Sequence, residues 1–144
     1  MARHINQAGL DLIKQFEGLR LKSYKCPAGI WTIGYGHTGS DVTPTTKWTK
    51  QKAEDALKTD LDKFEKVVEN ATKTPINDNQ FSALVSFVYN VGPGNFLKST
   101  LLKRVRSKQY AKAAEEFLKW CKAGGRVLVG LQMRRKAEKK LFLS

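Results

Sequence analysis

The stretch FSALVSFVYNV, residues 81 to 91, carries no charged side chain, although Asp, Glu, Lys and Arg make up 27% of the whole sequence. Phe81, Leu84, Val85 and Val88 recur at helical spacing, and the run stops at Gly92. A helix without a polar face must be enclosed, because any side left in water exposes apolar surface. The pattern therefore predicts a central buried helix with other elements packed around it. A chain of 144 residues is long enough to build such a core.

The surrounding segments follow from periodicity and breakers. Asn6 caps a first helix over residues 7 to about 17, with Leu10, Ile13 and Phe16 on its apolar side, Glu17 at its end and Gly18 as its stop. Residues 20–26 and 30–35, rich in Tyr, Trp, Ile and Thr, read as strands joined by the turn Pro27-Ala28-Gly29. Gly34, Gly36 and Gly39 then predict a loop. Ala53, Leu57, Leu61, Phe64 and Val68 mark a long helix over about 50–70. Beyond the central helix, segments of about 96–107, 109–121 and 130–142 read as helical, with Gly124-Gly125 dividing the last two. The fold expected is α+β in a single domain over 1–144. A β-lobe spans about 18–48, a helical lobe spans about 71–144 plus the N-terminal helix, and a cleft is expected where the lobes meet.

Charge narrows the partners. Twenty-six Lys and Arg against thirteen Asp and Glu give a net charge of +13, which favours a polyanion: nucleic acid, an acidic membrane surface or an anionic cell-wall polymer. No nucleic-acid motif accompanies the charge, and the basic residues are scattered over every helix, so a nucleic-acid-binding protein is the distant alternative. Two cysteines make no disulfide framework at this length. His4, His37 and Cys26 lack a zinc spacing, and no metal or cofactor is called for. Asp11 and Lys14 interrupt the N-terminal apolar residues, which excludes a signal or anchor there.

Some residues invite a chemical reading. Glu17, at a helix end beside a hairpin, is a candidate general acid, against the plainer reading of a solvated glutamate. Cys26, just before the turn, is open to four readings: buried filler, disulfide half, metal ligand or working group. Cys121 falls on one helical face with Ala114 and Leu118 and reads as core packing. Trp31, Tyr35 and Tyr89 are candidates for stacking on the ring of a bound substrate, against the commoner reading of aromatic residues at such spacing as core. His37, between Gly36 and Thr38, reads as a structural hydrogen-bonding residue.

Glu17-Gly18, Tyr24 and then Thr-Ile-Gly-x-Gly-His-Thr at 32–38 resemble the signature of phage-type lysozymes, glycoside hydrolase family 24, and in particular of lambdoid phage endolysins. QFSALVSFVYNVGPGNFLKSTLLKRV resembles that family's central helix with its Asn-x-Gly exit, and AAEEFLKWCKAGGRVLVGLQMRRKAEKKLFL its C-terminal region. The likeness implies hydrolysis of the β-1,4 bond between N-acetylmuramic acid and N-acetylglucosamine in peptidoglycan. It also implies a catalytic set of Glu, an acidic residue nine positions on and Thr six further. Those positions are Glu17, Cys26 and Thr32, with cysteine where aspartate is usual. By positional match Thr38, Tyr89 and Thr100 are expected to touch substrate, with Tyr35 a further candidate. Arg134 and Arg135 are candidates for substrate contact or for pairing with Glu17 across the cleft, against the equal reading of a solvated helix face.

Glycoside hydrolysis needs a protonated acid at the leaving oxygen and a second group that activates water, attacks carbon or stabilises positive charge. A thiolate can fill the second role, although a free thiol with a pKa near 8.5 is mostly protonated at pH 7. A lytic transglycosylase, needing one acid, is the alternative on the same substrate. The resemblance further implies a monomer without stable membrane association. It would be held in the host cytoplasm until a holin-type lesion releases it to the periplasmic peptidoglycan.

Overall fold

The computed structural model describes residues 3–144. Helix α1 (Gln7–Glu17) leads into strands β1 (Arg20–Lys25), β2 (Trp31–Gly34) and β3 (His37–Thr38). Helices α2 (Lys50–Thr72), α3 (Asp78–Val91), α4 (Pro93–Leu97), α5 (Thr100–Arg106) and α6 (Tyr110–Glu116) follow. A 3-10 turn (Phe117–Lys119), the two-residue strands β4 (Lys122–Ala123) and β5 (Arg126–Val127), and helix α7 (Val129–Leu143) complete the chain. The class is α+β. Two compact units divide it: Ile13–Asp62 forms one, and Met1–Leu12 with Lys63–Ser144 the other.

Helix starts are set by short polar side chains that accept from otherwise unpaired backbone N–H groups. Asn6 accepts from Gly9 N at 3.0 Å, Thr49 from Lys52 N at 3.1 Å and Ser99 from Leu102 N at 3.1 Å. Asn77 and Gln80 form a reciprocal capping box at the head of α3.

In the β-bearing unit the three strands form an antiparallel sheet in the order β1-β2-β3. Tyr24 faces Thr32 across one pair, and Thr32 faces Thr38 across the other, so the three lie in one cross-strand row. The far side of β1 is also occupied, since Ser23 N donates to Thr46 O and Trp48 N to Leu21 O. Gly34 has φ +67, and a Cβ there would lie 3.0 Å from the Trp48 ring. Both the backbone angle and the space restrict this position to glycine. The loop read from the glycines at 34–39 thus contains a further short strand. Its two-residue length gives no alternating pattern to read.

In the helical unit α3 is buried from Phe81 through Val88, as the uncharged run requires. The Phe87 ring makes edge contacts with Phe96, Phe117 and Trp120 at centroid distances of 6.4, 5.4 and 5.5 Å. Two expected helices are shorter than periodicity suggested. The 96–107 segment is split where Ser99 turns extended (ψ 149) to cap α5. The 109–121 segment tightens at Phe117 and ends at Lys119. Gly124-Gly125 does more than separate helices, since it forms the turn of the β4–β5 hairpin with φ +58 and +78. Cys121 therefore lies past the helix end and is partly exposed, which corrects the core-packing expectation. Both cysteines are free thiols.

Candidate functional site

The three residues of the expected catalytic set, Glu17, Cys26 and Thr32, fall within the β-bearing unit. Glu17 is the last residue of α1 and partly buried; Gly18 follows with φ +75 and its N–H bonds back to Lys14 O at 3.0 Å. Cys26 directly follows the end of β1 and is partly exposed. Thr32 sits in β2 and is only 4% exposed.

The hairpin turn couples the last two. Ile30 O accepts the backbone N–H of Cys26 at 2.9 Å and the Thr32 hydroxyl also at 2.9 Å, while Gly29 N donates to Cys26 O at 2.8 Å. The turn thereby fixes the Cys26 backbone and the Thr32 side chain to one carbonyl. The same turn lowers the thiol's pKa below that of a free cysteine. The main cause is the backbone at Ile30. Partial burial opposes it, while the backbone at Ala28 and the Thr32 hydroxyl add to the lowering. Thr32 has one hydroxyl proton. When that proton lies on Ile30 O, the oxygen presents lone pairs; when it rotates to the sulfur, it stabilises the thiolate.

Thr38 is exposed on β3, across from Thr32. Tyr35 is 6% exposed, with the Lys14 ammonium 5.7 Å from its ring centre and Lys14 in turn 3.1 Å from Glu54. Its ring is core, which corrects the expectation of sugar stacking. In the helical unit Tyr89 is half-buried with Phe64 edge-on to it at 5.2 Å, and Thr100 is exposed at the head of α5.

Arg134 and Arg135 have side chains 4% and 0% exposed, so neither offers surface to a sugar; the expectation of direct contact gives way to a supporting place in the fold. Arg134 donates to Ser86 O at 3.2 Å and Arg135 to Asn90 Oδ1 at 2.8 Å. Both reach the buried Glu138, at 3.3 and 2.8 Å, which also accepts from Ser86 Oγ at 2.6 Å. Burial pushes the Glu138 carboxyl up, and Arg135 followed by Arg134 pulls it back. Sequence reasoning missed this network because Glu138 looks like any acid in a basic helix.

It also missed the partners of His37. Nδ1 lies 2.7 Å from Asp60 Oδ2, and Nε2 lies 3.1 Å from both oxygens of Asp41. The imidazole rests 5.1 Å from the Trp48 ring. Desolvation works against the charged ring, yet the hydrogen bonds it donates to Asp60 and then Asp41 leave its pKa raised above 6.5. Asp41 is lowered from 3.8, chiefly by its bond to His37. The structural role expected for His37 fits these bonds. Asp60 stands 23 residues away, beyond any local pattern.

Comparison with known proteins gives the family of the chain. Residues 14–138 match the family model described as phage lysozyme. The chain is 49% identical over 143 residues to an endolysin of Bacillus phage B103, covering 98% of this chain and 54% of that protein. It thus spans about half the length of that relative. It is 45% identical over 145 residues to an endolysin of Acyrthosiphon pisum secondary endosymbiont phage 1, covering 98% of this chain and 99% of the other. Among solved structures, the muramidase domain of SpmX from Asticaccaulis excentricus aligns with TM-score 0.92 and 41% identity over 99% of both chains. The fold is lysozyme-like. The chain belongs to the phage lysozyme family. Among the described residues no helix is long and apolar enough to cross a membrane.

Proposed function

We propose that this chain is a muramidase of the endolysin type, which hydrolyses the β-1,4 bond between N-acetylmuramic acid and N-acetylglucosamine in peptidoglycan. Family membership supports the substrate and reaction class. The observation that carries the assignment of residues is the Ile30 carbonyl, which holds the Cys26 backbone and the Thr32 hydroxyl together in a turn that favours the thiolate.

In this reading Glu17 donates its proton to the leaving glycosidic oxygen as the sugar carbon gains oxocarbenium character. The Cys26 thiolate takes the aspartate's place as the anionic group. It removes a proton from the attacking water, and Thr32 accepts a hydrogen bond from that water when its own proton lies on Ile30 O. The water oxygen bonds to the anomeric carbon as the C–O bond breaks, and Cys26 ends protonated while Glu17 ends ionised. Exchange with solvent resets both. Thr38, Tyr89 and Thr100 are assigned to substrate contact. Arg134 and Arg135 act through the packing of α3 against α7.

Digestion of purified peptidoglycan followed by mass analysis tests this. Products with free reducing ends, and none from Glu17→Gln, are expected. Products ending in 1,6-anhydro sugars would make the chain a transglycosylase. A Glu17→Gln protein that still digests would remove Glu17 from the mechanism.

A further inference from the structure

The positive charge is unevenly spread. Residues 103–144 contain thirteen of the twenty-six basic residues but three of the thirteen acidic ones, Glu115, Glu116 and Glu138. Glu138 is buried, Glu116 pairs with Lys119 at 2.8 Å and Glu115 with Lys139 at 2.7 Å. Helix α7 shows two distinct faces. Arg134, Arg135, Glu138 and Phe142 are buried. Val129, Met133, Lys136, Lys140 and Leu143 recur at steps of three and four and are all exposed, so they form one stripe on the other side. Its apolar members are exposed by 69%, 55% and 56% for Val129, Met133 and Leu143. Beside its C-terminal end, a groove of about 510 Å³ is floored by Leu118 and Leu143 and rimmed by Lys136, Lys139 and Lys140.

We propose that this stripe is a peripheral docking surface for a bilayer rich in anionic phospholipid. Lysines pair with headgroup phosphates while Val129, Met133 and Leu143 enter the headgroup boundary, as in interfacial helices that combine basic and apolar side chains. The apolar residues choose a lipid surface over a soluble phosphate polymer, which would leave them in water. A second copy of the chain is disfavoured, because the two basic faces would repel. The contact is reversible and salt-sensitive. It is therefore weaker than the stable association that the sequence reading set aside, and it concentrates the protein at a surface without anchoring it.

Flotation of the 144-residue chain with vesicles tests the surface. Vesicles of phosphatidylcholine alone are compared with vesicles containing phosphatidylglycerol, at low and high salt. Three double variants are run: Val129→Ser with Met133→Ser, Lys136→Glu with Lys140→Glu, and the exposed α2 pair Lys50→Glu with Lys58→Glu. Thermal melting confirms that each folds. Binding only to the anionic vesicles, weakened at high salt, is expected. At roughly five-fold per lysine, the α7 lysine pair loses about 25-fold or more. The apolar pair loses about ten-fold, from burial of small apolar side chains. The α2 pair loses far less than the α7 lysine pair. Equal losses for the two lysine pairs would reduce the effect to net charge, and an unaffected apolar pair would point to phosphate binding without a bilayer. Either result overturns the proposal, as does failure to float with anionic vesicles.

Discussion

Cys26 and Thr32 are tied to the same acceptor: the Ile30 carbonyl receives the Cys26 N–H and the Thr32 hydroxyl, each at 2.9 Å. A six-residue separation becomes a fixed local geometry because the hairpin turn folds one strand end back on the other. The thiol is the group most affected. Its alkylation rate, followed against pH in a Cys121→Ser background, is expected to reach half its plateau below about 8.5, the value of a free cysteine. Thr32→Val, which keeps the β-branched shape and removes the hydroxyl, shifts the midpoint upward. A midpoint at or above that of a free cysteine in the unaltered turn contradicts the electrostatics described.

The His37 bonds set a pH window. A histidine with a raised folded pKa contributes stability that is complete below 6.5 and lost as pH rises through the raised value. Asp41, lowered, contributes above 3.8 and loses its share as pH falls through its lowered value. Their joint contribution is therefore greatest between those two limits. Thermal melting from pH 6.5 to 9 is expected to show the unaltered protein losing stability faster than His37→Gln. Parallel curves would mean that the imidazole adds no pH-linked stability.

Glu138 is held by two buried guanidinium groups and Ser86. Glu138→Ala strands both cations away from water and is expected to cost about 3–5 kcal/mol in urea unfolding. Glu138→Gln, which keeps a hydrogen-bond acceptor, costs less. A loss below 1 kcal/mol for the alanine variant, the size of an ordinary surface change, would show that the cluster relaxes freely.

Gly34→Ala confronts both φ +67 and the Trp48 ring 3.0 Å from the new Cβ. The left-handed backbone alone costs about 1–2 kcal/mol for a non-glycine residue. A lower melting temperature is expected, and no change would mean that the strand shifts to relieve both strains.

The sequence made much of this fold legible wherever one strong local pattern decided the outcome. The uncharged run at 81–91 announced α3, Asn6 and Gly18 bracketed α1, and Pro27-Ala28-Gly29 turned the hairpin. Elements shorter than a pattern were hidden: β3 and the β4–β5 hairpin have two residues per strand. Ser99 ended one helix by capping the next, which periodicity cannot register. The candidate site divided in the same way. Glu17, Cys26 and Thr32 were reached through the family resemblance; all three fall in one unit, and Cys26 and Thr32 flank a single turn. Tyr35, Arg134 and Arg135 were chosen by residue type and position, and burial removed them from direct contact. Partners such as Asp60 for His37 and Ser86 for Glu138 come from distant segments that no local spacing connects.

The most direct test of the mechanism is the rate at which cell-wall suspensions clear with Cys26, Cys26→Asp and Cys26→Ser at neutral pH. An anion at this position predicts that the aspartate variant clears within about ten-fold of the unaltered chain. Serine, which forms no anion at that pH, is expected to lose about 100-fold or more, the scale of a missing general base. Equal clearing by Cys26→Ser and the unaltered chain would contradict a working thiolate.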